Sequence, residues 1–99
     1  MPEKAILAAV NCGEYNVENS MKELGALCEA VGMEVGCEIV QNREHPENKY
    51  YLGEGKLEEA KQLCQDNDIT LCIFDAELTG SQIRNISNFL GIEVIDRTM

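Results

Sequence analysis

Two glycines and a lysine lie close together near the middle of the chain, in the run GEGK at residues 53–56. Glycine-rich turns that lead into a helix often hold phosphate groups, because free backbone N–H groups at the helix start face the anion. The P-loop pattern, however, needs four residues between its glycines and a Ser or Thr after the lysine, where this chain has Leu57. The dinucleotide pattern also fails, because Glu58 takes the place of its third glycine. Neither phosphate-binding pattern is therefore met.

Glutamates surround this run and oppose a bound anion. Glu54, Glu58 and Glu59 would repel a phosphate, and they complement the positive end of a helix dipole without any ligand. Three interpretations stay open at this point: a structural turn, a loop that contacts protein or RNA, and an intrinsic nucleotide site, which the glutamates disfavour.

Four extended runs accompany this loop. Residues 5–10 and 70–74 are apolar without alternation, which is typical of strands that are covered on both faces. Residues 34–40 and 92–95 carry interleaved polar residues and suit the edges of a sheet.

Three further segments place apolar residues at i, i+3, i+6 and i+7, a spacing that forms a stripe along one side of an α-helix. The stripes are Met21, Leu24, Leu27, Cys28 and Val31; Leu57, Ala60, Leu63 and Cys64; and Ile83, Ile86, Phe89 and Leu90. Ser20 and Glu23 have capping-box spacing at the first helix start. Thr79 and Gln82 have the same spacing at the third.

The elements alternate as strand, helix, strand, long connection, helix, strand, helix, strand. Right-handed crossovers then predict an α/β fold with a four-stranded parallel sheet and three helices distributed over both faces. With the two apolar strands in the centre, the predicted strand order is 2-1-3-4, a flavodoxin- or Rossmann-like three-layer arrangement. The length of 99 residues predicts a single domain, 1–99.

Ligands of such sheets bind outside the carboxyl ends of the strands, near the point where the strand order reverses. That edge is predicted to collect polar and charged side chains from four connections: Asn11, Arg43, His45, Lys49, Lys56, Asp75, Glu77 and Arg97. The long connection between the second strand and the second helix is the least acidic region of the chain.

These side chains do not form a recognisable set of catalytic residues, and neither a catalytic residue nor a metal ligand is predicted. Asp75 and Glu77 could act as a carboxylate pair, but charges at a helix N-terminus explain them equally well. His45 is interpreted as a solvated loop histidine, and Arg84 and Asn85 as the solvent face of the third helix. The five cysteines lack the paired spacing of a zinc site and suit core packing in a reducing compartment.

The chain carries 18 acidic and 8 basic residues, which give a formal net charge of −10. Generic nucleic-acid binding is disfavoured, because it needs basic residues to displace counterions, but a basic loop on an acidic body can still make local contacts. The longest apolar run, residues 5–10, is too short to span a membrane, and the chain start lacks a signal-peptide layout. We predict a cytoplasmic protein without membrane contact.

Three ordered blocks resemble the N-terminal domain of HflX-type GTPases: QNREHPENKYYLGEGKLEE, IFDAELTGSQIRNI and LGIEVIDRT. The positions that match the family pattern are Gln41, Arg43, Pro46, Tyr51, Gly53, Gly55, Lys56, Glu59, Phe74, Asp75, Glu77, Leu78, Gln82, Arg84, Asn85, Asp96, Arg97 and Thr98. Thr79 and Gly80 stand where the family has Ser-Pro, which removes the first-turn proline but keeps a capping residue.

The resemblance implies a non-catalytic accessory domain of a ribosome-associated GTPase. Its partners would be the large ribosomal subunit or its rRNA and a C-terminal G domain; GTP and Mg²⁺ would bind that G domain, and this chain would hold no cofactor. The predicted residues that face a partner, RNA or phosphate are Arg43, Gly53, Gly55, Lys56 and Arg97, with secondary candidates Asp75, Glu77, Arg84 and Asn85. The alternative function is a small nucleotide- or anion-binding α/β protein that uses the carboxyl edge of its sheet. Half-polar edge strands would also allow a homodimer.

Overall fold

The two strands predicted to be central are buried. In the computed structural model, which describes residues 3–97, β1 (Lys4–Asn11) and β3 (Leu71–Phe74) have apolar side chains covered on both faces of the sheet. The edge strands β2 (Glu34–Asn42) and β4 (Glu93–Asp96) alternate between more and less exposed positions, and only Ile39 of β2 is buried. All neighbouring strands are parallel and their order is β2-β1-β3-β4, so the predicted α/β fold and strand order are confirmed.

Three helices cover the sheet unequally. Helices α2 (Glu54–Asp66) and α3 (Gly80–Leu90) bury Leu57 and Ile86 against one face. Among the described elements, α1 (Val17–Ala30) covers the other face by itself and packs against β1 and β2. One face therefore carries two helices and the opposite face one, where Leu71 and Ile73 of β3 are buried and Ile95 of β4 is partly buried.

The start of α1 corrects a prediction from the sequence. The helix begins at Val17, one turn before Ser20, and Asn16 is its N-cap, with its side-chain oxygen accepting a hydrogen bond from the Asn19 N–H. The Ser20 and Glu23 pair is thus not a capping box. The physical reason is that Asn16 is an equally good capping residue, and the earlier start also buries Val17 in the core.

The apolar stripe of α1 differs from the predicted one as well. The side chains that it buries are Val17, Met21, Leu24 and Cys28, at successive spacings of four, three and four residues. Leu27 and Val31, which the sequence pattern placed in the stripe, are 60% and 76% exposed. Leu27 lies on a neighbouring flank of the helix, and Val31 is the C-cap residue, just past the last helical turn.

The start of α3 is as predicted. The Thr79 hydroxyl accepts a hydrogen bond from the Gln82 N–H at 3.1 Å, and the Gln82 side chain accepts one from the Thr79 N–H at 3.0 Å. This complete capping box replaces the first-turn proline of the related pattern and fixes the connection that follows β3.

The strand order reverses between β1 and β3. From β1 the chain crosses to β2 on one side and then returns to β3 on the other. The carboxyl ends of β1 and β3 therefore border the crevice where parallel sheets place their ligand sites. Within residues 3–97, every helix is too short or too polar to cross a membrane.

Candidate functional site

The connection from β2 to α2, residues 43–53 (the β2–α2 loop), has a defined structure. Glu47 and Tyr51 form an antiparallel bridge through two backbone hydrogen bonds of 2.9 and 3.0 Å. The Glu47 carboxylate also accepts hydrogen bonds from the N–H groups of Lys49 and Tyr50, at 2.8 and 2.7 Å. The tip of the loop is therefore a closed turn that is held by its own backbone.

Helix α3 fastens this turn from outside. The Gln82 side-chain amide donates to the carbonyl of Asn48 at 3.2 Å, and the Asn85 amide donates to the carbonyl of Lys49 at 3.2 Å. Asn85, a secondary candidate from the sequence, thus positions the loop, whereas its neighbour Arg84 is exposed. Since Gln82 also caps α3, one side chain links the helix start to the loop.

The two glycines of the GEGK run have different roles. Gly53 is the N-cap of α2, and its N–H donates to the Gln41 side chain at 2.8 Å. A Cβ at Gly53 would lie 2.8 Å from Nη1 of Arg43, a contact that a shift of this flexible side chain would relieve. At Gly55, in the first turn of α2, no atom of residues 3–97 beyond the local helix backbone lies within 4 Å of an added Cβ.

One ion pair lies next to Gly55, in a stretch that is otherwise acidic. The Lys56 ammonium forms an ion pair with the Glu59 carboxylate at 3.0 Å, and Glu54 stands in the first turn of α2. Arg43 donates from Nε to the carbonyl of His45 at 3.1 Å and borders a shallow depression of about 500 Å³ at the ends of β1 and β2. The arrangement presents basic groups beside carboxylates, which suits a polar macromolecular surface better than a free phosphate.

A second cluster lies at the ends of β3 and β4. Nη1 of Arg97 contacts Oδ1 of Asp75 at 2.5 Å and the hydroxyl of Ser20, and Nη2 lies 3.6 Å from the Glu23 carboxylate. The Asp75 side chain is fully buried, and its Oδ2 has no hydrogen-bond partner among residues 3–97. Arg97 therefore joins β4 to the end of β3 and to the side of α1.

Aromatic side chains join the two clusters. Tyr15 donates from its hydroxyl to the backbone carbonyl of Asp75 at 2.9 Å. Burial and the Asp75 charge raise the pKa of Tyr15 above its usual value. Tyr51, at the base of the β2–α2 loop, packs edge-to-face on Phe74, with ring centroids 5.8 Å apart. The neighbouring Tyr50 makes the same kind of contact with Phe89 at 5.8 Å.

Ionisation of Tyr51 is expected to weaken the fold at high pH. Burial is the largest cause that raises the pKa of Tyr51 from 10.0 to about 12, and the nearby Tyr15 hydroxyl is a smaller one. Because the folded pKa lies above the unfolded one, the contribution to stability is complete below pH 10 and is lost as the pH rises to about 12. Phenolate absorbance during a pH titration should show one late ionisation that Tyr51→Phe removes. A Tyr51→Phe chain that keeps this late ionisation would contradict the assignment.

The sequence-predicted residues thus fall into two groups. Arg43, Gly53, Gly55 and Lys56 lie around the β2–α2 loop and the start of α2, while Asp75 and Arg97 contact each other on the other side of the reversal point. Glu77 is exposed in the connection before α3. The matched Thr98 lies outside the described residues.

Several contacts that shape these groups were not predicted. Ser20 and Glu23 were predicted to cap α1 and instead contact Arg97. Gln41 matched the family pattern but had no predicted role, and its side chain accepts the hydrogen bond from the Gly53 N–H. Asp96, another matched residue, is buried and accepts a hydrogen bond from the Leu78 N–H at 2.8 Å. Within residues 3–97 there is no group of three or more His, Cys, Asp or Glu side chains suited to a metal ion, and all five cysteines are free thiols.

Comparison with known proteins gives consistent matches. The family described as GTP-binding GTPase N-terminal matches residues 18–99. A GTPase HflX of Lacrimispora saccharolytica is 39% identical over 98 residues, which are 98% of this chain and 23% of that protein. A GTPase HflX of Caldanaerobacter subterraneus subsp. tengcongensis is 36% identical over 96 residues, or 97% of this chain and 22% of that protein. The chain thus spans less than a quarter of the length of these two relatives.

Solved structures share the fold. A crystal structure of SsGBP with GDP superposes with a TM-score of 0.71 at 25% identity and covers 96% of this chain and 26% of that one. A GTP-binding protein from the hyperthermophilic archaeon Sulfolobus solfataricus, also in complex with GDP, gives a TM-score of 0.69 at 25% identity, with 96% and 27% coverage.

Proposed function

Because this chain belongs to the GTP-binding GTPase N-terminal family, together with HflX GTPases, we propose that it is a non-catalytic interaction domain of such a GTPase. In this proposal it acts in the cytoplasm, contacts the rRNA of the large ribosomal subunit and modulates the G domain of the longer protein. GTP and Mg²⁺ belong to that G domain. The residues proposed to make the contact are Arg43, Gly55 and Lys56, beside the fixed β2–α2 loop.

The observation that carries the proposal is Gly55. Glycine is a poor helix former, at a cost of up to about 1 kcal/mol relative to alanine in a helix interior, and an added Cβ at Gly55 in the first turn of α2 meets open space. Its backbone φ is also not among the positive values found at Gly13, Gly32 and Gly91. A partner whose backbone must approach the first turn of α2 closely supplies a reason for a residue without a side chain.

The fixed geometry of the β2–α2 loop supports the same proposal. Its turn is closed by the Glu47 hydrogen bonds and fastened by Gln82 and Asn85 of α3. A loop that is already ordered loses little conformational entropy on binding, so more of its contact energy appears as affinity. The Lys56 to Glu59 pair is open at the surface, and Lys56 can exchange this carboxylate for a phosphate of RNA at small cost.

Binding of the 99-residue chain to purified bacterial large ribosomal subunits tests the proposal. Arg43→Glu combined with Lys56→Glu is expected to weaken binding at least tenfold and to reduce its salt dependence. Lys22→Glu is the matched control, because this exposed lysine lies on α1, across the sheet from α2, and its change should leave binding within about twofold.

A glycine pair separates loss of binding from loss of folding. Gly55→Gln should raise the stability of the domain, because glutamine is the better helix former, and yet weaken ribosome binding at least tenfold by blocking close approach. Gly80→Gln makes the same change in the first turn of α3, where an added Cβ also meets open space. If both glutamine variants bind as well as the unmodified chain, Gly55 is not at the interface and the proposal fails.

Modulation of the G domain needs a longer protein. In a chimera that joins this chain to the remainder of the Lacrimispora saccharolytica GTPase HflX, the Arg43→Glu, Lys56→Glu pair is expected to reduce stimulation of GTP hydrolysis by ribosomes, with unstimulated hydrolysis unchanged. Calorimetric titration of the 99-residue chain with GTP, ATP and phosphate should show no binding. Heat at low millimolar ligand would instead support the anion-binding alternative.

A further inference from the structure

The outer edge of β2 carries unpaired backbone groups. Within residues 3–97, β1 is the only strand beside β2, so β2 forms one end of the sheet. The Arg43 N–H, just past the end of β2, donates to the Asn11 carbonyl of β1 at 3.1 Å. Because backbone groups point alternately to the two sides of a strand, the N–H and C=O groups of Glu38, Val40 and Asn42 point away from β1. These groups are open to a further strand.

The side chains of these three residues lie on the α1 face of the sheet and are exposed. Val40 is paired in register with Ala9, which is buried beneath α1, and is itself 41% exposed. Helix α1 therefore covers β1 but not the outer side of β2. Between α1 and β2 lies a groove of about 320 Å³, the α1–β2 groove, which is lined by the buried Val17 and Met21 and by the exposed Val40.

Only the second half of β2 offers a regular edge. Gly36 is an extra residue of β2 relative to β1, so the strand has a bulge at this point. Lys4 and Glu34 form an ion pair of 3.9 Å just before the bulge. Bulges and charged side chains prevent strand pairing at many sheet edges, and both of these lie in the first half of β2. Over residues 37–42 the register is regular.

Residues 38–42 are self-complementary about Val40. When two copies of β2 pair antiparallel with Val40 opposite Val40, Glu38 of each copy lies opposite Asn42 of the other. All three positions have outward backbone groups, so each opposite pair exchanges two N–H to O=C hydrogen bonds. The Asn42 amide can donate to the Glu38 carboxylate, and the two valines pack together at the two-fold axis.

Glu38 disfavours the neighbouring registers. Pairing about Ile39 would place Glu38 opposite Val40, and pairing about Glu38 would place two carboxylates opposite each other, which is destabilising. A symmetric pair also satisfies both open edges with the same contacts made twice, so it is closed and does not extend into a filament. A second copy thus fits this edge without like charges opposite each other.

We infer that the chain forms a symmetric dimer through the outer edges of β2, with Val40 at the two-fold axis. The strands of the two copies then form one continuous sheet, and the two α1–β2 grooves lie side by side between the α1 helices. The two β2–α2 loops lie at opposite edges of this sheet, because the paired strands run antiparallel. This inference does not depend on ribosome contact.

Sedimentation of the 99-residue chain over a concentration series tests the inference. The paired strands bury less surface than a standard interface, so the series extends to about 1 mM. The net charge of −10 on each copy opposes association, and added salt should therefore strengthen the dimer. Val40→Asp should weaken the dimer at least tenfold, because it places two carboxylates opposite each other at the axis.

Leu27→Asp is the matched control. Leu27 is also apolar and is 60% exposed, but it lies on the flank of α1 that faces Ile95 of β4. Its change should leave the dimer within about twofold. Lys56→Glu should do the same, which separates this result from failure of the ribosome proposal.

A side-chain exchange tests the register. Asn42→Glu places two glutamates opposite each other on both sides of the axis and should weaken the dimer at least tenfold. Adding Glu38→Asn exchanges the two side chains and restores an Asn–Glu pair at each place, so this double variant should dimerise within about threefold of the unmodified chain. Circular dichroism of each variant checks that the fold is retained.

Three results would overturn the inference. The first is a chain that stays monomeric through the whole series at high salt. The second is a dimer that Leu27→Asp dissociates and Val40→Asp leaves intact, because the other flank of α1 would then form the contact. The third is a dimer that Asn42→Glu weakens and that the added Glu38→Asn does not restore, since the strands would then not pair about Val40.

Discussion

Arg97→Met is expected to lower the free energy of unfolding by roughly 2–3 kcal/mol. The methionine keeps part of the aliphatic stem but removes the guanidinium that contacts Asp75 at 2.5 Å. Asp75 has a fully buried side chain, and its other oxygen has no partner among residues 3–97, so the variant leaves a buried carboxylate uncompensated. The estimate lies below the usual range for a buried pair, because the Arg97 side chain is 36% exposed. Denaturant unfolding followed by circular dichroism measures the change.

Two further variants check the cause. Arg84→Met makes the same substitution at an exposed arginine of α3 and should change stability by less than about 0.5 kcal/mol. Adding Asp75→Asn to Arg97→Met should recover part of the loss, since the uncompensated charge is then absent. Equal stabilities of Arg97→Met and Arg84→Met would show that the Asp75 contact contributes nothing to the fold.

Phe74→Ala is expected to be the most damaging single change, at roughly 3–5 kcal/mol. Phe74 is completely buried at the end of β3, and its ring supports Tyr51 at the base of the β2–α2 loop. Removing the ring leaves a cavity in the main core and also frees the loop. Since small domains are stable by about 5–15 kcal/mol, a large part of the variant chain would be unfolded at 37 °C in the least stable case.

Phe89→Ala is the comparison for Phe74→Ala. Phe89 makes an equivalent edge-to-face contact with Tyr50 but is only partly buried, so its loss should cost about half as much. Amide hydrogen exchange should show faster exchange at Tyr51 in Phe74→Ala, even under conditions where the sheet stays protected. Unchanged exchange at Tyr51 in Phe74→Ala would mean that Phe74 does not support the loop.

The strands were predictable because short runs of apolar residues in the sequence indicate which strands are buried. Apolar residues at 5–10 predicted a strand with two covered faces, and the structure has it at Lys4–Asn11. The strand order followed from placing the two apolar runs in the centre. The start of the first helix was not predicted correctly, because Asn16 and Ser20 are both suitable N-cap residues. The choice depends on the burial of Val17 and on the contact of Ser20 with Arg97, which the local sequence does not show.

The candidate site was less predictable because its contacts join distant parts of the chain. Asn85 reaches the Lys49 carbonyl across 36 positions, and Arg97 reaches Ser20 across 77. Amides and guanidinium groups form such bonds with any suitably placed oxygen, so sequence spacing contains no local signal for them. The spacing around Lys56 did allow the P-loop pattern to be rejected from the sequence.

Arg97 is held at several points that do not lie on one line. Its N–H lies 3.3 Å from the Ala76 carbonyl, and its guanidinium contacts Asp75 at the end of β3 and Ser20 and Glu23 on α1. A residue with one contact can still rotate about it, whereas contacts in several directions restrict both bending and rotation of the backbone. A force applied to the chain at residue 97 is therefore transmitted to α1 and to the end of β3. This position is a rigid connection and not a hinge.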